Sequence, residues 1–482
     1  MHVAPDGSRT ARIAVAATLV WLVVASAACG SEPDTPAAAD GVRTVAIRTV
    51  VLVTIDTLRA DFLGAYGNKL VPTPAFDGLA ARGALFERAI AASSSTIPSH
   101  ATMLTGLPPR RHSAGARNGD TRLAEATTVA QRFQQAGWQT AAFVSNAVLQ
   151  RRSGLASGFA FYDQNLPERE EARVAFERRS PETVEAALHW LGKHETEPVF
   201  LWIHLQDPHG PYTPPSEWVD KIPVPSPSSD DEIRLEAKTW DNPIGGLPAY
   251  QVLDGFDRPS QYKRRYAAEI AYTDAALAQL LEGLEARNNT AIVVTSDHGE
   301  SLGEADRWFQ HGHASTIDLA RVPLIVVAPG IEPQRRLELV GHVDVAPTLL
   351  DLAGLPPLGP SEFGLSLSGP LRNRSTLPDR PLFCDSTGEA SAYRLHAHVR
   401  ANGFGARTAA QAIESLQGGD TTAVSFSGSA ADAAGKWAPR VDRSLALELA
   451  DYLRGEVAIT PATPNPETLE RLRALGYLGT PQ

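Results

Sequence analysis

Cysteine and methionine are scarce in this 482-residue chain: there are two of each, the cysteines being Cys29 and Cys384. That excludes a disulfide-stapled scaffold, so the fold must rest on an apolar core, which a chain of this length can fill. Basic residues are also in deficit, with 44 Lys and Arg against 55 Asp and Glu and a formal charge of −11. This balance, with no basic stripe to offset it, excludes a general nucleic-acid-binding surface. Long apolar runs are missing apart from Ile13 to Ala28, which follows Arg9 and Arg12. That run is too short for a membrane span and fits the apolar part of an export signal.

The leader closes on Ala25-Ser26-Ala27-Ala28-Cys29-Gly30. Small residues before a cysteine resemble a bacterial lipobox, with Ser26 where Leu or Val is usual. This reading makes Cys29 the lipidated first residue and places the protein in the cell envelope, facing the periplasm or the exterior. Cleavage around Ala27–Ala28 also exports it, and a retained membrane anchor is the remaining possibility. With Cys29 lipidated, Cys384 has no partner for an intramolecular bridge.

Residues 1–29 are thus a leader, and 30–44, rich in Ala, Pro and Asp, a tether. A catalytic domain is expected over 45–371 and a small C-terminal subdomain over 372–482, where the pattern weakens. Buried-strand runs occur at Val45–Ile55, Thr140–Val144, Val199–Leu205, Ala291–Thr295 and Val322–Val327. Helical patterns alternate with them at Pro74–Arg82, Thr127–Ala136, Pro181–His194 and Gln261–Leu284, and a last one falls at Pro466–Leu475. The alternation predicts an α/β fold with a mostly parallel central sheet sandwiched by helices. The proline-rich stretch 214–260 reads as an insertion beside the site. Ligands of such sheets bind beyond the carboxyl ends of the strands, so the residues there matter most.

Asp56 ends the first strand, and Asp297 and His298 end another. Each acidic residue alone could cap a turn. With Thr96, in Ser93-Ser94-Ser95-Thr96-Ile97-Pro98-Ser99-His100, they make a mixed oxygen and nitrogen set suited to a divalent cation. Pro98 suits the first turn of a helix, whose positive end would face a tetrahedral anion. Asp207 and His209 follow Val199–Leu205, and Gln310-His311-Gly312-His313 comes later. Asp207, His209 and either His311 or His313 could form a second cation site; alternatively, the histidines protonate a leaving group at a one-metal site. His204, His112 and His342 read as structural, and Asp344 as a helix start.

These motifs in this order resemble the sulfatase family of the alkaline-phosphatase superfamily. The resemblance runs from Val45 to Leu355. It rests on Asp56-Thr57-Leu58-Arg59-Ala60-Asp61, Thr96 to Gly106, Asp207-Pro208-His209-Gly210-Pro211-Tyr212, Asp297-His298-Gly299-Glu300, Arg321-Val322-Pro323-Leu324 and Val343-Asp344-Val345-Ala346-Pro347. It implies that Asp56, Thr96, Asp297 and His298 bind the catalytic metal, Thr96 being the nucleophile and His100, His209 and His311 its companions. Asp207 and His313 are candidate ligands of a second ion. For the one or two ions, Zn²⁺ suits so few acidic ligands better than Ca²⁺, with Mn²⁺, Mg²⁺ and Ca²⁺ as the alternatives.

Classical sulfatases carry a Cys or Ser, oxidised to formylglycine, where this chain has Thr96; threonine cannot be converted that way. Asp56-Thr57 replaces two consecutive acidic ligands, and His100 replaces an Arg. All three departures resemble the threonine-nucleophile phosphodiesterases. The implied activity is hydrolysis of an anionic phosphate mono- or diester, with sulfate esters as possible substrates. The alternatives are true sulfate ester hydrolysis, envelope phosphotransfer, and a non-catalytic lipoprotein that binds glycans or lipids.

Overall fold

The computed structural model describes residues 46–452 except 116–122, 124–125, 170–175, 225–232, 239–243, 360–362, 387–388, 395–396, 403–423, 426–428, 432–436, 440–444, 446–447 and 450. The leader, the tether and the Pro466–Leu475 expectation lie outside the described residues.

Eight strands form the central sheet: β1 (Thr49–Ile55), β2 (Ala84–Ile90), β3 (Gln139–Phe143), β4 (Phe161–Asp163), β5 (Val199–Leu205), β6 (Thr290–Ser296), β7 (Arg321–Val327) and β8 (Gln334–Gly341). They lie in the order β8-β2-β7-β6-β1-β5-β3-β4. Only β7 runs against its neighbours; every other pairing is parallel. A run such as Thr-Val-Val-Leu-Val-Thr-Ile in β1 is apolar at successive positions because both faces are covered. Val50 and Leu52 enter one core, while Val51, Val53 and Ile55 enter the other. Each such side chain contributes about 1.5–3 kcal/mol on burial.

The first core packs α2 (Thr96–Thr105), α3 (Val129–Gln135) and α6 (Val345–Leu352) against one face. The second packs α1 (Pro74–Arg82), α4 (Ser180–Leu191) and α5 (Pro259–Leu284) against the other. The sequence pattern misses β4, too short for a run, as well as β2 and β8. Glu87-Arg88 interrupts β2 at half-buried positions, where Glu87 pairs with Arg335 of β8 and Arg321 of β7. β8 is an edge strand with charges along it. Both strands are held by cross-strand pairs that a hydropathy run does not report.

Register then decides where the site lies. Ile55 stands opposite both Ser296 and Leu205, so β1, β6 and β5 end level with one another. Asp56, Asp297 and Gln206 therefore emerge side by side on one edge of the sheet. After the central sheet, β9 (Leu382–Asp385), β10 (Glu389–Arg394) and β11 (Ala397–Asn402) form an antiparallel sheet with Val424–Ser425. Its Asp385 reaches back to the loop before α2. The Asp385 N–H donates to the Ala92 carbonyl at 2.8 Å, and the Ser94 N–H donates to the Asp385 carbonyl at 3.0 Å.

Candidate active site

Thr96 opens α2, a helix whose every residue is buried, and Ser95 before it gives no side-chain cap. The first N–H groups of a helix have no partner within the helix, so an uncapped start presents donors to an anion. Thr96 Oγ1 lies 3.4 Å from His298 Nε2. The same nitrogen is 3.4 Å from Asp297 Oδ2 and 3.8 Å from Asp56 Oδ1. Thr96 is 1% exposed and the other three are wholly buried. Asp56 Oδ1 and Asp297 Oδ2 have no hydrogen-bond partner, which is costly for a buried carboxylate unless a ligand satisfies it.

The donor set fits a divalent cation on those observations. Bonds of 2.0–2.1 Å to four atoms at the corners of a tetrahedron put those atoms roughly 3.3 Å apart. Asp56, Asp297 and His298 together have ligand atoms within 4.8 Å of one another. His298 donates Nδ1–H to the Gly299 carbonyl at 2.9 Å, which leaves the Nε2 lone pair turned to the cluster. Burial, then His311, pushes the His298 imidazole down to about 3, so it stays neutral. Burial and the neighbouring Asp56 push the Asp297 carboxyl well up. Burial would also raise Asp56, but His209, His204 and His298 outweigh it and hold that carboxyl below the usual range.

The surrounding residues fix each ligand atom. Asp297 Oδ1 accepts from the N–H groups of Thr57, at 3.1 Å, and His298, at 2.8 Å, so Oδ2 is the oxygen left over. Asp56 Oδ2 accepts from Asn146 Nδ2 at 3.2 Å and lies 3.4 Å from His204 Nε2, so Oδ1 is left over there. Thr57 holds a left-handed φ of 55°, unfavourable for a β-branched residue, which the Tyr266 hydroxyl locks by donating to the Thr57 carbonyl at 2.6 Å. Gly299 has no room for a side chain, because a Cβ would sit 2.0 Å from the Asp318 carbonyl oxygen.

His100 is placed as a support for Thr96. Its Nδ1–H donates to the Thr96 carbonyl at 2.8 Å, and its Nε2 accepts from the Thr54 hydroxyl at 2.9 Å. Thr54 in turn accepts from Trp202 Nε1 at 3.0 Å. Burial keeps His100 well below the ordinary histidine range. His100, His204 and Asp297 also have ligand atoms within 4.8 Å of one another. Both His100 nitrogens are already engaged, however, and His204 Nδ1 accepts from the Ser145 N–H at 3.4 Å. That second group therefore lacks imidazole lone pairs for a cation.

Asp207 differs most from its expected place. Its Oδ2 accepts from the N–H and hydroxyl of Ser180, at 2.7 and 2.6 Å, and its Oδ1 pairs with Arg179 at 3.1 Å. It anchors the start of α4 instead of facing a second ion. His313 also stays outside the cluster, lowered to about 4 by burial and then by Arg307 and His311. His209 and His311 do come to the site. Their rings are 5.0 Å apart, and the His311 ring is 4.5 Å from that of His298. His112 bonds Thr102 and Ala114; His342 bonds Ala92 and Ser296. Asn146 and Glu300 went unassigned in the sequence. Asn146 had one usable signal: it follows β3, on the same sheet edge as Asp56.

The Sulfatase family model matches residues 48–355. The chain belongs to the sulfatase family. Iduronate 2-sulfatase of Homo sapiens is 27% identical over 432 residues, covering 71% of this chain and 75% of that protein. The phosphonate monoester hydrolase of Agrobacterium radiobacter superposes with a TM-score of 0.58 at 22% identity, covering 74% of this chain and 87% of that one. A structure in complex with its substrate D-glucosamine-2-N,6-O-disulfate gives a TM-score of 0.60 at 19% identity, covering 74% and 89%. The protein is a sulfatase-family hydrolase acting on ester bonds, with the mixed α/β fold of its structural neighbours. The family generally uses a divalent metal, and buried Asp and His groups that can bind one are present here.

Proposed function

We propose that this sulfatase-family hydrolase is exported, anchored through lipidated Cys29, and cleaves phosphate esters with Thr96 as nucleophile. One observation carries the reading: the oxygen of a residue that cannot become formylglycine sits 3.4 Å from His298 Nε2, beside two unpartnered carboxylate oxygens.

Asp56, Asp297, His298 and Thr96 would hold one divalent cation, Zn²⁺ fitting best, which would favour the alkoxide form of the threonine hydroxyl and polarise the ester. The α2 amides bind the non-bridging oxygens, and Thr96 Oγ1 attacks phosphorus. The Thr96 hydroxyl proton passes to His311 Nε2 as Oγ1 attacks; as the bond to the leaving oxygen breaks, its electron pair stays on that oxygen, which takes that proton from Nε2. Water then attacks the phosphothreonine and gives a proton to that nitrogen, which passes it to the Thr96 oxygen as its bond to phosphorus breaks. The residues brought against the cluster are imidazoles, amides and hydroxyls, with two carboxylates inside it. Such a site suits a monoanionic ester, so a diester should react faster than a dianionic monoester.

Sulfate ester hydrolysis is the second reading, favoured by the activity named for the relatives. It is also a monoanion reaction, but a threonine lacks the formylglycine diol's route for releasing sulfate. Purified protein is therefore expected to hydrolyse bis-p-nitrophenyl phosphate in a chelator-sensitive way. Thr96→Ala should lower kcat at least about a thousandfold. Full activity in that variant removes Thr96 from the mechanism, and a faster rate on p-nitrophenyl sulfate overturns the phosphate preference.

A further inference from the structure

The carboxylate of Glu300 has no part in the steps above, yet it is wholly buried, two residues past His298. A short hairpin pairs Ser301 with Gln310. Its register brings the residue before, Glu300, opposite the residue after, His311. Glu300 Oε1 lies 3.2 Å from His311 Nδ1. The other oxygen, Oε2, accepts from the Tyr212 hydroxyl at 3.1 Å. Tyr212 is itself fully buried and arrives from the segment after β5, so parts of the chain following two neighbouring strands meet at one carboxylate.

An ionised carboxylate only accepts hydrogen bonds. The hydrogen between Glu300 and His311 must therefore sit on Nδ1, which leaves Nε2 as the polar atom on the other edge of the ring. A carboxylate held this way fixes both the tautomer and the rotation of an imidazole. Tyr212 occupies the second oxygen and keeps Glu300 from turning away.

We infer that Glu300, held by Tyr212, is the positioning residue that sets His311 for its work on the leaving oxygen. The inference rests on the role of His311 given under Proposed function. A purely structural Glu300 would pin the hairpin and affect all substrates alike. A positioning Glu300 matters most where the leaving oxygen needs a proton, in alkyl esters, and least for p-nitrophenolate.

The test is a double-mutant cycle of Glu300→Gln and His311→Gln on alkyl and p-nitrophenyl esters of the same acid. It is paired with ¹⁵N NMR of histidine-labelled protein as purified, the His311 signal being assigned from its variant. Glu300→Gln is expected to lower kcat on the alkyl ester at least about tenfold, with little change on the p-nitrophenyl ester or in KM. In the His311→Gln background it should cost nothing more. The His311 ring should be the Nδ1–H tautomer in the unmodified protein and a mixture in Glu300→Gln. Equal loss on both esters, full additivity, or an unchanged tautomer overturns the inference. If the protein cleaves neither ester, the functional reading fails, and the NMR comparison alone decides this one.

Discussion

Asp297 and Asp207 invite comparison, because each is a buried acid just past the end of a buried strand. Asp207 has both oxygens paired, to Ser180 and Arg179. Asp297 has one oxygen paired and one with no partner, as does Asp56. Burial is common to both sites, so burial does not mark function. A carboxylate whose oxygens are all satisfied by the protein has none left for a cation. One held rigidly with an oxygen left over is waiting for a ligand.

The largest expected effect would break this comparison outright. Asp297→Asn should abolish cation binding, read by elemental analysis, and lower kcat at least about a thousandfold. The metal-free variant should melt no lower than metal-free unmodified protein, because a repulsive carboxylate pair has been removed. Asp207→Asn should do the reverse. Its unfolding free energy, from urea denaturation, should drop by roughly 2 kcal/mol, since the Ser180 N–H and hydroxyl and Arg179 lose a charged acceptor, while cation content per folded molecule stays the same. Variants that behave alike would dissolve the distinction.

A smaller effect extends the contrast to the imidazoles. His298 keeps one nitrogen for the cluster, whereas His112 has both engaged, by Thr102 and Ala114. Burial lowers His112 to about 3. Its folded form thus stays neutral while the unfolded chain takes up a proton below its ordinary pKa of about 6.5. Stability is present above that value and is lost as pH falls towards 3. His112→Gln lacks this uptake, so its unfolding free energy should fall less steeply with acid, by up to about 1.4 kcal/mol per pH unit. Urea denaturation curves between about pH 6.5 and 4 check the slope, and parallel slopes would contradict the assignment.

Much of this was legible in the chain before its structure. β1, β5 and β6 read as buried strands because they are covered on both faces, and Asp56, Thr96, Asp297 and His298 stood out because they follow such strands or open a helix. What could not be read was which groups each side chain would meet. Nothing near Asp207 in the sequence shows that Ser180 and Arg179 will saturate it, from 27 and 28 residues away. Nor does the sequence show that His100 will be turned into the Thr96 carbonyl by Thr54, 46 residues earlier. Glu300 was visible beside Asp297-His298, but only the hairpin register reveals that it faces His311.

The most direct measurement is anomalous diffraction from crystals of the protein grown with Zn²⁺. A single strong peak is predicted at roughly 2.0–2.2 Å from Asp56 Oδ1, Asp297 Oδ2, His298 Nε2 and Thr96 Oγ1. A peak held instead by Asp207 and His209, or one that leaves Thr96 outside the coordination sphere, would contradict the account.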